Sequence, residues 1–381
     1  MANKLLERSL AVGFITVCLF FGVGIGVAIR MGRLEASDGK TSPSDSLPIL
    51  PPIQEEQIFQ ENITIQAVGD IIPGTNYPTH KLPRDRNQLI PQSVRKYLQR
   101  ADILFGNFES SLTNHPYAAK DISKGNYFAF RSPPAYAKLF ADTGFDVLNI
   151  ANNHALDFGV VGFADTVKHL SAVGIETLGH KDQILLMDAK NQKVAMIGFA
   201  PYNKYNSIHD LKTAQGMVKT AKKKADIVVV SMHAGAEGTR ALRVKNKTEF
   251  FGSENRGNSI KFARTMIDSG ADLVIGHGPH VPRAMEIYKG KLIAYSLGNF
   301  LGYRTLSTKA QTGYSMILEV TLNSKGDLVG AKIIPVHMDR LGIPRIDKHF
   351  RTVGLVRYLI SQDFPDNSVE INQRGELVLT E

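Results

Sequence analysis

ADIVVVSMH, residues 225–233, carries the reading of this chain: an Ala-Asp pair, an apolar run rich in β-branched side chains, and a histidine where the run stops. The same order recurs. ADILF (101–105) leads to Gly106-Asn107-Phe108-Glu109, FDVLNIA (145–151) to Asn152-Asn153-His154, and ADLVIG (271–276) to His277-Gly278-Pro279-His280. A fifth run, ITIQAV from Ile63, ends in Gly69-Asp70. Apolar runs without polar alternation are the pattern of strands covered on both faces, and helix-like segments separate them, so the chain reads as an α/β protein. In open α/β sheets, ligands gather just beyond the carboxyl ends of the strands. Five strand ends therefore direct Asp70, Asn107 and Glu109, Asn153 and His154, His233, and His277 with His280 toward one site.

Each signal is weak alone. Asp70 after Gly69 can simply shape a turn, Glu109 can cap, and a single loop histidine such as His233 is commonly just hydrogen-bonded. The coincidence decides: four of the eleven histidines fall at these strand ends. The ligand types are oxygen and imidazole without sulfur, which suits Mn, Fe, Zn or Mg. Their number exceeds the needs of one tetrahedral ion, so two adjacent divalent ions are expected.

Composition narrows the alternatives. The chain has 381 residues, 43% of them hydrophobic, with 33 Gly and 17 Pro, which describes a globular protein and excludes collagen-like and coiled-coil architectures. Its single cysteine, Cys18, excludes an intrachain disulfide, a thiolate zinc site and a cysteine nucleophile in the region after the linker. The net charge of +9 is spread along the chain, and the one compact run, Lys222 to Lys224, reads as a solvated helix end, so no nucleic-acid partner is expected. There is no G-x-S-x-G elbow. The nearest phosphate-loop lookalike, Gly252 to Ser259, has Asn258 where the phosphate-binding lysine is needed.

Residues 1–8 form a short leading segment. Residues 9–29, SLAVGFITVCLFFGVGIGVAI, hold no charge for 21 positions, enough for a helix across a hydrocarbon core of roughly 30 Å. Arg30 and Arg33 follow directly where a cleavage site would lie, so the segment reads as an uncleaved transmembrane anchor. Residues 30–62 are rich in Ser, Pro and Glu and read as a tether. The main domain is placed at 63–303, completed by 304–381, in which two apolar segments flanking Asn323 to Asp327 read as a hairpin and Val353 to Leu359 as a helix.

The motifs resemble those of the CapA-type capsule-synthesis proteins, the poly-gamma-glutamate capsule family related to calcineurin-like metallophosphoesterases. They are AVGDIIPG (67–74), GNFESSLT (106–113), FRSPP (130–134), GFDVLNIANNHALDFG (144–159), SMHAGAE (231–237) and GHGPHVPRAMEIYKGKLIAYSLGNF (276–300). The resemblance covers residues 63–301 and implies metallophosphoesterase-like stacked β-sheets flanked by helices, a four-layer αββα arrangement preceded by the N-terminal transmembrane helix. It implies Asp70, Glu109, Asn153, His233, His277 and His280 as the metal set and His154 as the histidine acting on substrate. Two departures stand out: Ile72 replaces the histidine of the phosphoesterases' Asp-x-His motif, and Ala234 stands where many family members have Trp.

Around this set, Asp157 either orients His154 or turns the chain before Gly159. Arg131 is the candidate anion contact, since a guanidinium grips carboxylate or phosphate through two hydrogen bonds. Asn299, after another apolar strand, either contacts substrate or forms a turn. The resemblance implies a membrane-anchored, extracytoplasmic, metal-dependent hydrolase-type protein serving capsule or other cell-surface polymer synthesis. Its partners would be an acidic polymer or phosphate-ester substrate and other capsule-synthesis membrane proteins. A noncatalytic assembly subunit and a phosphoesterase for small phosphate esters are the alternative readings.

Overall fold

The Ala-Asp and Phe-Asp pairs have a common structural task. Asp102, Asp146, Asp226 and Asp272 each accept a backbone N–H at the start of the neighbouring parallel strand, from Thr64 (2.7 Å), Leu104 (2.7 Å), Lys193 (2.8 Å) and Val228 (2.9 Å) respectively. The backbone N–H of each aspartate donates to the carbonyl of that same partner residue. Strand beginnings are thus stitched pairwise by a charged acceptor, and the carboxyl ends of adjacent strands are left level with one another.

The computed structural model describes residues 61–379 apart from 124, 126 and 368. The expected anchor at 9–29 and nearly all of the tether lie outside the described residues. No helix among the described residues is long and apolar enough to cross a membrane.

Two large sheets form. In the first, the strand order is Pro344–Ile346, Leu328–Met338, Tyr314–Leu322, Ile63–Ile72, Ile103–Phe108, Val147–Asn149, Glu176–Leu178, and Asn299–Gly302 adds to the end of Ile63–Ile72. Ile63–Ile72 runs parallel to Ile103–Phe108 and antiparallel to Tyr314–Leu322, so a hairpin from the C-terminal part of the chain supplies one side of this sheet. The second sheet runs Met285–Tyr288, Lys291–Ala294, Leu273–His277, Ile227–His233, Gln192–Ala200, Leu185–Ala189, with Asn206–Ser207 added to Gln192–Ala200.

Period-two alternation assigns the faces of the first sheet. Ile63, Ile65, Ile103 and Phe105 join Met196, Val229 and Ile275 of the second sheet in one core, which holds the sheets together. Leu104, between Ile103 and Phe105, faces the other way and packs with Val94, Leu98, Leu139, Phe140 and Leu170 of helices Gln92–Leu98, Ala137–Thr143 and Gly159–Ser171. Helices Leu211–Lys222 and Ser259–Asp268 bury Val218, Phe262 and Met266 with the second sheet. The result is a mixed α/β fold of stacked sheets flanked by helices.

The phosphate-loop lookalike is a hairpin. Glu249–Phe251 and Glu254–Gly257 pair around Gly252 at φ 58°, and Asn258 caps the next helix by accepting the Lys261 N–H at 2.9 Å. The tail helix, Arg351–Asp363, is longer than its apolar spacing marks, because polar residues at both ends continue the turns.

Candidate metal centre

Register brings the site together. His233 and His277 are direct partners on adjacent parallel strands, and Asp70 partners Asn299 in the first sheet. The Asp70 N–H donates to the Gly298 carbonyl at 3.0 Å. Only glycine fits beside that contact, since a Cβ at residue 69 would stand 1.8 Å from the Gly298 oxygen.

Asp70 is fully buried, its Oδ1 accepting from Asn107 Nδ2 at 2.8 Å and its Oδ2 3.0 Å from His280 Nδ1. Glu109, just beyond its strand, is also fully buried, and neither carboxylate oxygen has a hydrogen-bond donor. Its Oε1 lies 3.6 Å from His233 Nδ1 and its Oε2 3.7 Å from His280 Nδ1. Ligand atoms of Asp70, Glu109 and His280 all lie within 4.8 Å of one another. His280 holds this place at φ 59°, a left-handed conformation that is costly for a residue with a side chain.

The electrostatics follow from burial. Burial and the Asp70 charge drive the Glu109 carboxyl well above the usual carboxylate range. Burial would raise Asp70 too, but His280 outweighs it and leaves Asp70 below that range. Burial alone would lower His280, yet Glu109 and Asp70 raise it to about 10. The His280 imidazole thus lies between the carboxyl groups of Asp70 and Glu109.

His277 Nε2 is 3.1 Å from the Val68 carbonyl, an acceptor only, so Nε2 carries the proton and Nδ1 keeps its lone pair. His233 Nε2 faces a guanidinium nitrogen of Arg256 at 3.4 Å. Burial pushes His233 well below its ordinary value and lowers His277 as well. The Nδ1 atoms of both histidines, both oxygens of Glu109 and Oδ1 of Asn153 are buried without a partner. One such group costs about 1–3 kcal/mol, and more when charged, so five of them gathered on the predicted ligands mark a place that calls for a partner. The Glu109 oxygens, Asn153 Oδ1 and His277 Nδ1 are lone-pair donors, which is the chemistry a divalent cation requires, whereas His233, with Nε2 accepting from Arg256, carries its proton on Nδ1 and offers a lone pair there only once that proton is lost.

His154 sits beside this set. Its Nδ1 is 2.8 Å from Asp157 Oδ2, closer than the 3.4 Å to Lys120 Nζ, so Nδ1–H donates to the carboxylate and Nε2 is left free. Burial lowers His154 below its ordinary value, with Asp157 opposing. The two readings of Asp157 separate here. Backbone bonds make the turn, from Asp157 N to His154 O (3.2 Å) and from Gly159 N to Leu156 O (2.9 Å), while the Asp157 carboxylate orients the imidazole. That carboxylate also accepts the Phe130 N–H (2.8 Å) and pairs with Lys120 (2.7 Å), and the Phe130 ring lies 4.7 Å from the imidazole.

Two expectations are corrected. Arg131 is largely engaged within the protein: Nε donates to Asn76 Oδ1 (2.7 Å), Nη1 donates to the His115 carbonyl (2.6 Å), and the guanidinium lies over the rings of Tyr77 and Phe158, which leaves a two-bond grip on an anion without its pair of donors. Asn299 is 1% exposed and cannot meet a substrate from solvent; its Oδ1 is 2.9 Å from His280 Nδ1. The Ala234 position, likewise, is buried in the core between the sheets.

Sequence reasoning placed Asn107 and Asn152 at the strand ends but gave them no role, and it missed Asn149 and the arginine pairs. Asn107 accepts from Asn149 (2.8 Å) and Asn152 (3.2 Å), and Asn152 also accepts the His154 N–H at 3.0 Å, a buried amide scaffold beneath the ligands. The repeated Asn in GNFE and ANNH was its only signal. Arg256 pairs with Glu237 (2.6 Å), and Arg283 pairs with Glu249 through both carboxylate oxygens (2.9 and 2.7 Å). These pairs, like Lys120 with Asp157, carry no spacing that would announce them.

The profile of the family described as "Bacterial capsule synthesis protein PGA_cap" matches residues 64–304. The chain belongs to this family. The matched part of this PGA_cap chain holds every residue of the predicted site. The "PGA biosynthesis protein CapA" of Bacillus subtilis (strain 168) is 32% identical over 259 residues, 63% of this chain and 63% of the relative. The "Capsule biosynthesis protein CapA" of Bacillus anthracis is 29% identical over 267 residues, 63% of this chain and 60% of the relative. The PGA_cap chain thus matches somewhat less than two thirds of the length of these relatives. Among solved structures, a 5'-nucleotidase precursor from Thermus thermophilus aligns with TM-score 0.43 and 12% identity, over 79% of this chain and 59% of that one.

Proposed function

We propose that this PGA_cap protein is a metal-dependent hydrolase-type domain that serves the synthesis of a capsular or other cell-surface polymer. The observation that carries the reading is the set of buried lone pairs on Glu109, Asn153 and His277, which no protein group satisfies. The names of the two Bacillus relatives support the cellular setting. Asp70, Glu109 and His280 hold one divalent ion, and His233, His277 and Asn153 join Glu109 in holding a second. Such ions supply Lewis-acid stabilisation of developing charge and acidify water at neutral pH. His154, with its Nδ1–H fixed on Asp157, keeps Nε2 as the atom that accepts a proton, and Asp157 stabilises the imidazolium that results, which can then return the proton to a leaving group.

The test is hydrolysis of phosphate esters and gamma-glutamyl polymers by the purified full-length chain, with metal content measured on the same sample. Turnover that a chelator stops and added Mn(II) or Zn(II) restores is the expected result. A metal-loaded protein inert on both substrate classes points instead to an assembly subunit.

The charge-free segment at 9–29 and the polar tether after it support attachment to the cytoplasmic membrane with the domain outside. Protease added to intact cells stripped of outer layers is then expected to digest the domain. Protection equal to that of a cytoplasmic control would reverse the topology.

A further inference from the structure

The centre around Asp70 has a donor that neither its sequence motif nor its charge identifies. Ile72, two residues after Asp70, is fully buried and offers no lone pair. Three oxygens instead face His280 Nδ1: Asn299 Oδ1 at 2.9 Å, Asp70 Oδ2 at 3.0 Å and Glu109 Oε2 at 3.7 Å.

The amide of Asn299 has a fixed orientation. Its Nδ2 donates to the Thr312 carbonyl at 3.1 Å, and because a carbonyl only accepts, the NH2 end must point there and the oxygen toward the site. The backbone is equally constrained, through the pairing of Asp70 with Asn299 and the Asp70 N–H bond to Gly298.

We propose that Asn299 Oδ1 is a protein ligand of the ion held by Asp70, Glu109 and His280. The inference rests on the metal reading above. Neighbouring ligands of an ion bound at about 2.0–2.2 Å stand roughly 3.0–3.6 Å apart, close to the separations found around His280 Nδ1. Two carboxylates already balance a dication, so a neutral amide adds a donor without adding charge. Burial excludes a direct substrate role for this side chain, and the turn reading leaves unexplained why its oxygen faces His280 Nδ1.

The experiment is a Co(II) titration of the full-length chain, followed by visible absorption and metal analysis, on wild type, His280→Ala, Asn299→Ala and Asn299→Asp. Asn299→Ala is expected to weaken the same titration step that His280→Ala weakens by about 100-fold or more, and to change its Co(II) spectrum, while any other step is unchanged. Loss of a residue that only orients a ligand costs roughly 10–100-fold and leaves the set of bound atoms intact. An unchanged Co(II) spectrum in Asn299→Ala therefore overturns the proposal. If that variant does not fold, Asn299→Asp decides: retention of the step with a shifted spectrum supports ligation, and wild-type behaviour in it overturns the proposal. A wild type that binds no Co(II) removes the metal reading and this proposal together, whereas a wild type that binds it beside indifferent Asn299 variants removes this proposal alone.

Discussion

His154→Ala is expected to lower the hydrolysis rate by about 10²–10⁴-fold while leaving the metal content unchanged. The imidazole is held by Asp157 and lies tilted against Phe130, and its neighbour Asn153, not His154 itself, offers the unpaired ligand atom. Removing the ring therefore deletes a proton acceptor without deleting a ligand. Steady-state kinetics and metal analysis on one preparation check both halves. The variant also separates catalysis from assembly in cells. Normal surface-polymer output from a metal-loaded His154→Ala protein would count against hydrolysis as the cellular role, and the assembly-subunit reading would replace it.

The second large effect is on metal content. His233 and His277 stand side by side on adjacent strands, each with Nδ1 buried and unpaired. A His233→Ala, His277→Ala double variant is expected to lose the second ion, and with it nearly all turnover, because half of that ion's assigned protein ligands are gone. Single His277→Ala lowers occupancy less. Metal analysis after gel filtration reads the stoichiometry directly. A doubly substituted protein with its full metal complement would show that these imidazoles hold no ion.

Much of this arrangement is legible because strands are local. Each strand declares itself by a short β-branched run, and the aspartate before it has one job repeated four times, to accept an N–H near the start of the neighbouring parallel strand. Parallel pairing then levels the carboxyl ends, so Asp70, Glu109, His233, His277 and His280 could be assembled on paper from the positions where apolar runs stop.

What the chain order cannot specify is which side chains meet across sheets. His277 reaches the Val68 carbonyl over a separation of 209 residues, and Asn299 reaches Asp70 only because the close approach at Gly69 lets its short strand join the first sheet. Arg131 looked like a free guanidinium until tertiary packing gave it Asn76, His115 and two aromatic rings. Asp157 looked equally like a turn residue until His154 and Lys120 converged on its carboxylate. Local pattern and side-chain chemistry were enough for the strands, the order of their polar endings and the ligand types, and all of these can be read along the chain. Folding in three dimensions was needed to settle which polar groups are satisfied by protein and which are left with unused lone pairs. Desolvation makes that difference consequential, because a donor or acceptor buried without a partner is costly in a way that no linear spacing records.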